Sequence, residues 1–225
     1  RVDKEHSETA YMTDRAMHWI DQLGAQSWCL HLSYIKPHWP YVAPAPYHAL
    51  YRSQPILEAN RDHAEKKNPH PVLNAFMNHE ESLNFSRDVV RQTVIPTYMG
   101  LITEIDDHLG RLMQFLENRN LLETTMIVFT SDHGDYLGDH WLGEKELFYD
   151  EAVRIPLIIV DPDPASDSTR GRSDSRMVES IDLIPTFVEA LGGESQDHRL
   201  EGRSLLRILR ASDSQEWRDA VFCEM

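Results

Sequence analysis

A short apolar run that ends directly in acidic and imidazole side chains constrains this chain more than any other feature. Residues 126–129 are apolar and rich in β-branched types, which is typical of a buried strand. Asp132 and His133 follow this run, and Lys145 lies 13 residues beyond Asp132. Open α/β sheets bind ligands beyond the carboxyl ends of their strands. The pattern therefore predicts a divalent metal at Asp132 and His133, with Lys145 near an anion bound to that metal.

An isolated Asp-His pair has another common interpretation, a helix cap beside a surface histidine. Here the pair follows a strand, three glycines allow the backbone to fold tightly, and the same segment adds Asp135, Asp139 and His140. These features favour a metal site. Carboxylate oxygen and imidazole nitrogen suit Ca²⁺, Mn²⁺ or Zn²⁺, and two ligands alone do not decide among them.

A second candidate site lies in the proline-rich segment 36–47. Its four prolines exclude a helix or an inner strand, so we expect an ordered, extended loop. Lys36 and His38 leave the end of a strand predicted at 28–35, and the prolines restrict their directions. His38 is therefore a candidate for protonating a leaving oxygen or binding an anion. The alternative is a rigid surface loop anchored by its aromatic residues.

The remaining chain alternates predicted helices and strands. The helices are predicted at 7–25, after Pro96 and at 180–191, and the strands at 125–130 and 155–160. Residues 52–92 are polar and predict loop and short helix that cover a cleft, whereas 161–176 predict an exposed loop. This alternation predicts an α/β fold with a largely parallel sheet covered on both faces.

Composition excludes several classes of partner. The chain has 22 basic and 37 acidic residues, a net charge of −15, which argues against nucleic acid or an anionic membrane. No apolar run reaches the roughly 18 residues of a membrane span. The two cysteines, Cys29 and Cys223, have apolar neighbours and are expected to be buried free thiols. The compartment stays open, with the cytoplasm slightly favoured.

Several motifs occur in a fixed order along most of the chain. They are residues 13–16, 32–41, 98–107 and 131–140, then Lys145 and 154–156. Together they resemble the sulfatase branch of the alkaline phosphatase superfamily. Residues 36–44 are especially similar to phosphonate monoester hydrolases, which are also phosphodiesterases. The resemblance implies a three-layer α/β/α alkaline-phosphatase-like sandwich with a mostly parallel central sheet, to which residues 1–225 contribute a fragment that is incomplete at the N-terminus.

The resemblance implies a role for each residue that matches a motif. Asp132 and His133 match the second pair of ligands to one divalent metal ion, with Ca²⁺ or Mn²⁺ favoured over Zn²⁺. His38 and Lys145 match the catalytic groups that contact the sulfate or phosphonate and the leaving-group oxygen. Secondary candidates for substrate binding are Lys36, His140 and Tyr98.

The chain departs from the family pattern at the nucleophile. The family uses a Cys or Ser in a Cys/Ser-x-Pro-x-Arg motif, which is converted to formylglycine, and neither Cys29 nor Cys223 stands in such a motif. The family's first acidic pair of metal ligands also has no counterpart. We therefore expect this chain to correspond to the C-terminal part of the catalytic domain and to show no turnover by itself.

The function that the resemblance implies is metal-dependent hydrolysis of sulfate esters, phosphonate monoesters or phosphodiesters. The substrate would be a small anionic ester, and self-association is implied by the family alone. One alternative is a non-catalytic binding or assembly domain on the same fold. Another is a phosphomutase or two-zinc phosphatase of the superfamily, which would need further Asp/His motifs that this sequence does not contain.

Overall fold

The computed structural model describes residues 2–194, 198–211 and 216–224. The chain divides into two compact units. The first comprises Arg1–Leu122 and Gly134–Glu146, and the second comprises Glu123–His133 and Leu147–Met225. Among the described residues, none of the helices combines the length and the apolar character that a membrane span requires.

Helices dominate the first unit. They are α1 (Glu8–Leu23), α2 (Pro71–Met77), α3 (Glu80–Phe85) and α4 (Asp88–Asn118). Single 3-10 turns lie between or beside them at Lys4–His6, Tyr47–Ala49, His63–Lys66 and Asp139–Trp141. Segment 52–92, predicted as loop and short helix, therefore contains one 3-10 turn, α2, α3 and the first residues of α4.

Helix α1 forms where the sequence predicts it. The Ser7 side chain accepts a hydrogen bond from Ala10 N at 3.1 Å and caps the first turn. Gly24 ends the helix with φ of 58°, which a residue without a Cβ adopts at little cost. Ala10, Ala16 and Ile20 are buried at helical spacing. This face packs against α4.

The prediction that the long helix starts after Pro96 is wrong. Helix α4 begins at Asp88, and Pro96 lies inside it. An internal proline removes one helical hydrogen bond and costs about 3 kcal/mol. Tertiary burial on both sides of the proline offsets that cost, since Arg91 is 5% exposed, Leu101 is 0% exposed and Leu116 is 3% exposed.

The described part of the second unit contains a small sheet and three short α-helices. Its elements are β1 (Ile127–Thr130), α5 (Asp150–Val153), β2 (Leu157–Val160), α6 (Leu183–Ala190) and α7 (Leu206–Leu209). The two strands form near their predicted positions and pair antiparallel, with Ile127 opposite Val160. Parallel crossovers usually run through a helix, and the one α-helix in the fully described stretch between Thr130 and Leu157 is the four-residue α5. The described strand pair therefore does not show the predicted parallel arrangement.

The predicted strand at 28–35 and the predicted burial of the cysteines are both wrong for the described residues. Residues 28–35 join no sheet, since strands require a hydrogen-bonded neighbour and none lies beside this segment in the described chain. Cys29 and Cys223 are free but exposed, in segments without regular structure. Apolar neighbours in sequence do not bury a thiol when the segment has no packing partner.

A buried carboxylate organises the beginning of α6. Helix α6 follows a 3-10 turn at Ser180–Asp182, so the predicted helix at 180–191 is present in two parts. Asp182 is 0% exposed. Its carboxylate accepts two hydrogen bonds from the Arg218 guanidinium, at 2.5 and 2.7 Å, and two from backbone N–H groups of Glu179 (2.8 Å) and Arg203 (2.7 Å). Three segments of the second unit, at 179–182, Arg203 and Arg218, therefore meet at one side chain.

Replacement of Asp182 with Ala is expected to destabilise the protein by about 3–5 kcal/mol, because the buried Arg218 guanidinium loses two hydrogen bonds and keeps only its ion pair with Glu179, at 3.0 Å. The matched control is Asp174→Ala, which breaks an exposed Asp–Arg pair of the same type and should cost about 0–1 kcal/mol. Denaturant unfolding of the full-length protein measures both values. Equal losses in the two variants would contradict the role assigned to Asp182.

Candidate active site

The segment that carries Lys145 is a tightly closed loop of the first unit. Tyr136 N donates to Glu144 O and Gly138 N donates to Leu142 O, both at 2.9 Å, so the two ends of the loop lie side by side. Gly143 N donates to the Ser82 hydroxyl at 3.0 Å. We call residues 134–146 the lysine loop.

Helix α4 holds the lysine loop through a buried arginine. Arg91 Nε donates to Leu137 O at 3.1 Å, and its Nη2 donates to Leu57 O at 3.0 Å. Gly138 has φ of 106°, and a Cβ there would lie 2.6 Å from Arg91 Cδ. Glycine is therefore required at this position both for its backbone conformation and for the close approach of Arg91. If the lysine loop moved away, the buried Arg91 guanidinium would lose its hydrogen bond to Leu137 O.

The proline-rich segment, named here the proline loop (residues 36–47), presents His38. His38 N donates to Ile35 O at 3.1 Å, and Lys36 Nζ donates to Pro40 O at 2.6 Å, so the loop closes on itself. His38 Nδ1 lies 2.9 Å from Trp39 O. A carbonyl oxygen only accepts, so Nδ1 carries a proton and the neutral ring has its lone pair on Nε2.

His38 and Lys145 converge although 107 residues separate them. The Lys145 ammonium nitrogen lies 3.4 Å from His38 Nε2, so the ammonium can donate to the neutral imidazole. Both side chains are partly exposed. Two adjacent groups that donate hydrogen bonds when protonated are suited to the oxygens of a sulfate or phosphonate group. The structure thus brings together the two residues that the sequence predicts as catalytic.

Two tyrosines, Tyr41 and Tyr98, contact each other near Asp135 in the same unit. Tyr41 donates from its hydroxyl to Asp135 Oδ2 at 2.7 Å, and the rings of Tyr41 and Tyr98 pack with centroids 6.2 Å apart. Burial, followed by the nearby charge of Asp135, raises the pKa of Tyr98 to about 12. Tyr98 therefore stays protonated at neutral pH and has a hydroxyl proton to donate.

The other two secondary candidates are engaged within the first unit. Lys36 closes the proline loop through Pro40 O, as described above. His140 Nδ1 lies 2.7 Å from Glu65 Oε1, and its side chain is 15% exposed. These contacts give Lys36 and His140 structural partners, and substrate binding by them stays a prediction.

The predicted metal ligands lie in the second unit, just after β1. Asp132 Oδ2 and His133 Nε2 are 3.7 Å apart, and the Asp132 side chain is 86% exposed. Ser131 Oγ donates to His133 O at 2.8 Å, which steadies the backbone between them. A carboxylate and an imidazole are suitable donors for a divalent ion. Nowhere in the described chain do three or more His, Cys, Asp or Glu side chains gather as a metal site, so this pair fits as part of a ligand set.

Sequence reasoning missed Arg91 and treated Tyr41 only as a possible anchor. The contact of Arg91 with Leu137 spans 46 residues, and that of Tyr41 with Asp135 spans 94 residues. Neither pair has a local signal such as a fixed spacing. The sequence indicates a flexible backbone at Gly138. It contains no local signal for the packing of Arg91 against this glycine.

Comparison with known proteins gives consistent matches. The family model described as Sulfatase matches residues 3–193. The multifunctional alkaline phosphatase superfamily protein PehA of Trinickia caryophylli is 38% identical, over 100% of this chain and 45% of its own length. An arylsulfatase of Clostridium perfringens is 27% identical, over 87% of this chain and 40% of its own.

Solved structures agree with these sequence matches. The phosphonate monoester hydrolase from Silicibacter pomeroyi superposes with a TM-score of 0.85 at 34% identity, covering 96% of this chain and 44% of that chain. The chain therefore spans less than half the length of each of these three relatives. A fold of the α/β class follows from this similarity.

Proposed function

Because this chain belongs to the sulfatase family, we propose that the protein containing it hydrolyses a small anionic ester of sulfate, a phosphonate monoester or a phosphodiester. The observation that carries the proposal is the convergence of Lys145 and His38 at 3.4 Å. The names of two relatives, an arylsulfatase and a phosphonate monoester hydrolase, support the substrate classes.

The proposal extends to the architecture of the full-length protein. We propose an alkaline-phosphatase-like α/β/α sandwich with a mostly parallel central sheet, in which β1 and β2 form an antiparallel part. The similarity of 96% of this chain to a solved phosphonate monoester hydrolase supports it. Segment 52–92 is proposed to cover a cleft. In support, its residue Asp62 accepts a hydrogen bond through its carbonyl from Trp141 Nε1 of the lysine loop, at 2.8 Å.

Lys145 is proposed to bind the non-bridging oxygens of the ester. Negative charge on these oxygens increases when a nucleophile attacks sulfur or phosphorus. A fixed ammonium stabilises that charge more in the transition state than in the ground state, which lowers the barrier. Neither cysteine of this chain stands in the family's nucleophile motif, so the attacking group is not assigned to any of its residues.

His38 is proposed to assist departure of the alcohol. The bond from sulfur or phosphorus to the bridging oxygen breaks, and the electron pair stays on that oxygen. His38 Nε2, once protonated, donates its proton there, while Nδ1–H stays bonded to Trp39 O and keeps the ring oriented. The neutral imidazole that results has its lone pair on Nε2 and its proton on Nδ1.

Asp132 and His133 are proposed to hold one divalent ion, Ca²⁺ or Mn²⁺ in preference to Zn²⁺. An ion bound there would act as a Lewis acid towards the oxygens of the ester. The carboxylate of Asp132 contributes negative charge, and the imidazole of His133 contributes a neutral nitrogen ligand. The 86% exposure of Asp132 leaves its oxygens accessible to an ion.

The role of His38 is tested by the dependence of rate on the leaving group. In the full-length protein, His38→Ala should lower kcat/KM by about 10²–10⁴-fold for phenyl esters, which leave poorly without a proton. The loss should be smaller for 4-nitrophenyl esters, since nitrophenolate needs little help. His18→Ala, a change on the exposed face of α1, is the control. An equal loss for both leaving groups, or no loss, would refute the assignment.

A further inference from the structure

The proline loop and the lysine loop are joined by at least two side-chain contacts. One is the pair of proposed catalytic groups, His38 and Lys145. Another is the hydrogen bond from the Tyr41 hydroxyl to Asp135 Oδ2, at 2.7 Å. Tyr41 lies three residues after His38, and Asp135 lies ten residues before Lys145. The second contact therefore links the same two loops within a short chain distance of the first.

Asp135 is coupled to the position of Lys145 by the shape of the lysine loop. Its Oδ1 accepts from Leu137 N at 3.0 Å, which fixes the carboxylate against its own backbone. The next residue, Tyr136, donates its N–H to Glu144 O at 2.9 Å, and Glu144 directly precedes Lys145. Asp135 and Lys145 are therefore each one residue away from the ends of the same backbone hydrogen bond, so a displacement of Asp135 is expected to displace Lys145 as well.

Tyr41 is equally well fixed on the other side. Its ring packs edge-on against the buried Phe85, with centroids 5.9 Å apart, and against Tyr98. The hydrogen bond from Lys36 Nζ to Pro40 O closes the part of the loop that contains His38 and ends directly before Tyr41. The hydroxyl can therefore point towards Asp135 without freezing a flexible side chain at the moment of binding.

The proton in this hydrogen bond belongs to Tyr41. Burial, followed by the negative charge of Asp135, raises the pKa of the Tyr41 phenol far above its ordinary value. The phenol therefore remains a hydrogen-bond donor at neutral pH. A hydrogen bond to a charged acceptor is stronger than one between neutral groups. This contact is therefore suited to fix the position of the proline loop relative to the lysine loop.

We propose that Tyr41 and Asp135 are positioning residues, whose hydrogen bond sets the separation between His38 and Lys145. The inference rests on the proposed function, because it takes His38 and Lys145 as the groups that act on the ester. A merely structural hydrogen bond would lower stability and affect every substrate alike. A positioning bond acts through His38. When this bond is removed, the decrease in kcat/KM must therefore depend on the leaving group and on the presence of His38.

The test is a double-mutant cycle in the full-length protein. Tyr41→Phe keeps the ring and removes only the hydroxyl. It should lower kcat/KM for a phenyl ester about 10- to 100-fold, and less for a 4-nitrophenyl ester. In a His38→Ala background the same change should have little further effect, since the two residues act as one unit. The control is Tyr47→Phe, which removes another tyrosine–carboxylate bond of the proline loop, 2.6 Å to Asp107.

The outcomes separate this inference from the proposed function. Equal losses from Tyr41→Phe with and without His38 would overturn the positioning role. If His38→Ala alone leaves turnover unchanged, the proposed role of His38 fails, and a crystal structure of the Tyr41→Phe protein decides the inference instead. A clear lengthening of the 3.4 Å separation between Lys145 Nζ and His38 Nε2 would support positioning, and an unchanged separation would refute it.

Discussion

Replacement of Lys145 with Ala in the full-length protein is expected to lower kcat/KM for an aryl phosphonate or aryl sulfate about 10²–10³-fold. The lysine loop holds the ammonium beside His38, and the loop itself is fixed by the buried Arg91. A preorganised charge needs no rearrangement when negative charge develops on the ester oxygens. Its removal therefore raises the barrier by about 3–4 kcal/mol, with kcat affected more than KM.

Two further variants sharpen the Lys145 experiment. Lys145→Met keeps most of the side-chain length and removes the charge, so it should be as slow as the alanine variant if charge is what matters. Lys4→Ala, at an exposed position of the same unit outside segment 52–92, should leave the rate unchanged. Steady-state rates with both ester classes give the result. A Lys145→Met protein with the rate of the unmodified protein would contradict the proposed role.

Replacement of His133 with Ala is expected to weaken binding of the divalent ion by at least about 100-fold. Loss of groups that only orient a metal ligand costs about 10–100-fold in affinity, and loss of a ligand itself should exceed that. Asp132→Asn should have a similar effect, because it removes the charge of the carboxylate without changing its shape.

Direct metal binding, measured by calorimetry and by elemental analysis of the full-length protein, checks the His133 prediction without reference to activity. His18→Ala, which removes an exposed imidazole, is the control and should bind the ion as the unmodified protein does. A His133→Ala protein that retains a full equivalent of tightly bound metal would show that His133 is not a ligand.

Local sequence signals locate the residues that are proposed to carry chemistry. Asp132 and His133 follow a strand that the apolar pattern predicts, and β1 is present directly before them. His38 stands in a proline-rich motif that excludes a helix. The pairing of His38 with Lys145 is implied only by resemblance to a family, since no local pattern encodes a contact across a sequence separation of 107.

Features that depend on tertiary packing were beyond local reasoning. The start of α4 was predicted too late, because Pro96 is a strong breaker signal unless burial around Arg91 and Leu101 offsets its cost. The segment 28–35 has the composition of a strand, but composition does not supply a neighbouring strand. The bond between Tyr41 and Asp135 joins positions 94 residues apart and likewise leaves no local pattern.

The central claim is that this chain contributes metal ligands and substrate-binding groups to a hydrolase. Turnover of 4-nitrophenyl phenylphosphonate and 4-nitrophenyl sulfate by the full-length protein, before and after removal of divalent metal, tests it most directly. We expect hydrolysis of at least one ester, its loss on chelation and its recovery when Ca²⁺ or Mn²⁺ is restored. No turnover of either ester, or turnover that survives complete metal removal, would contradict the claim.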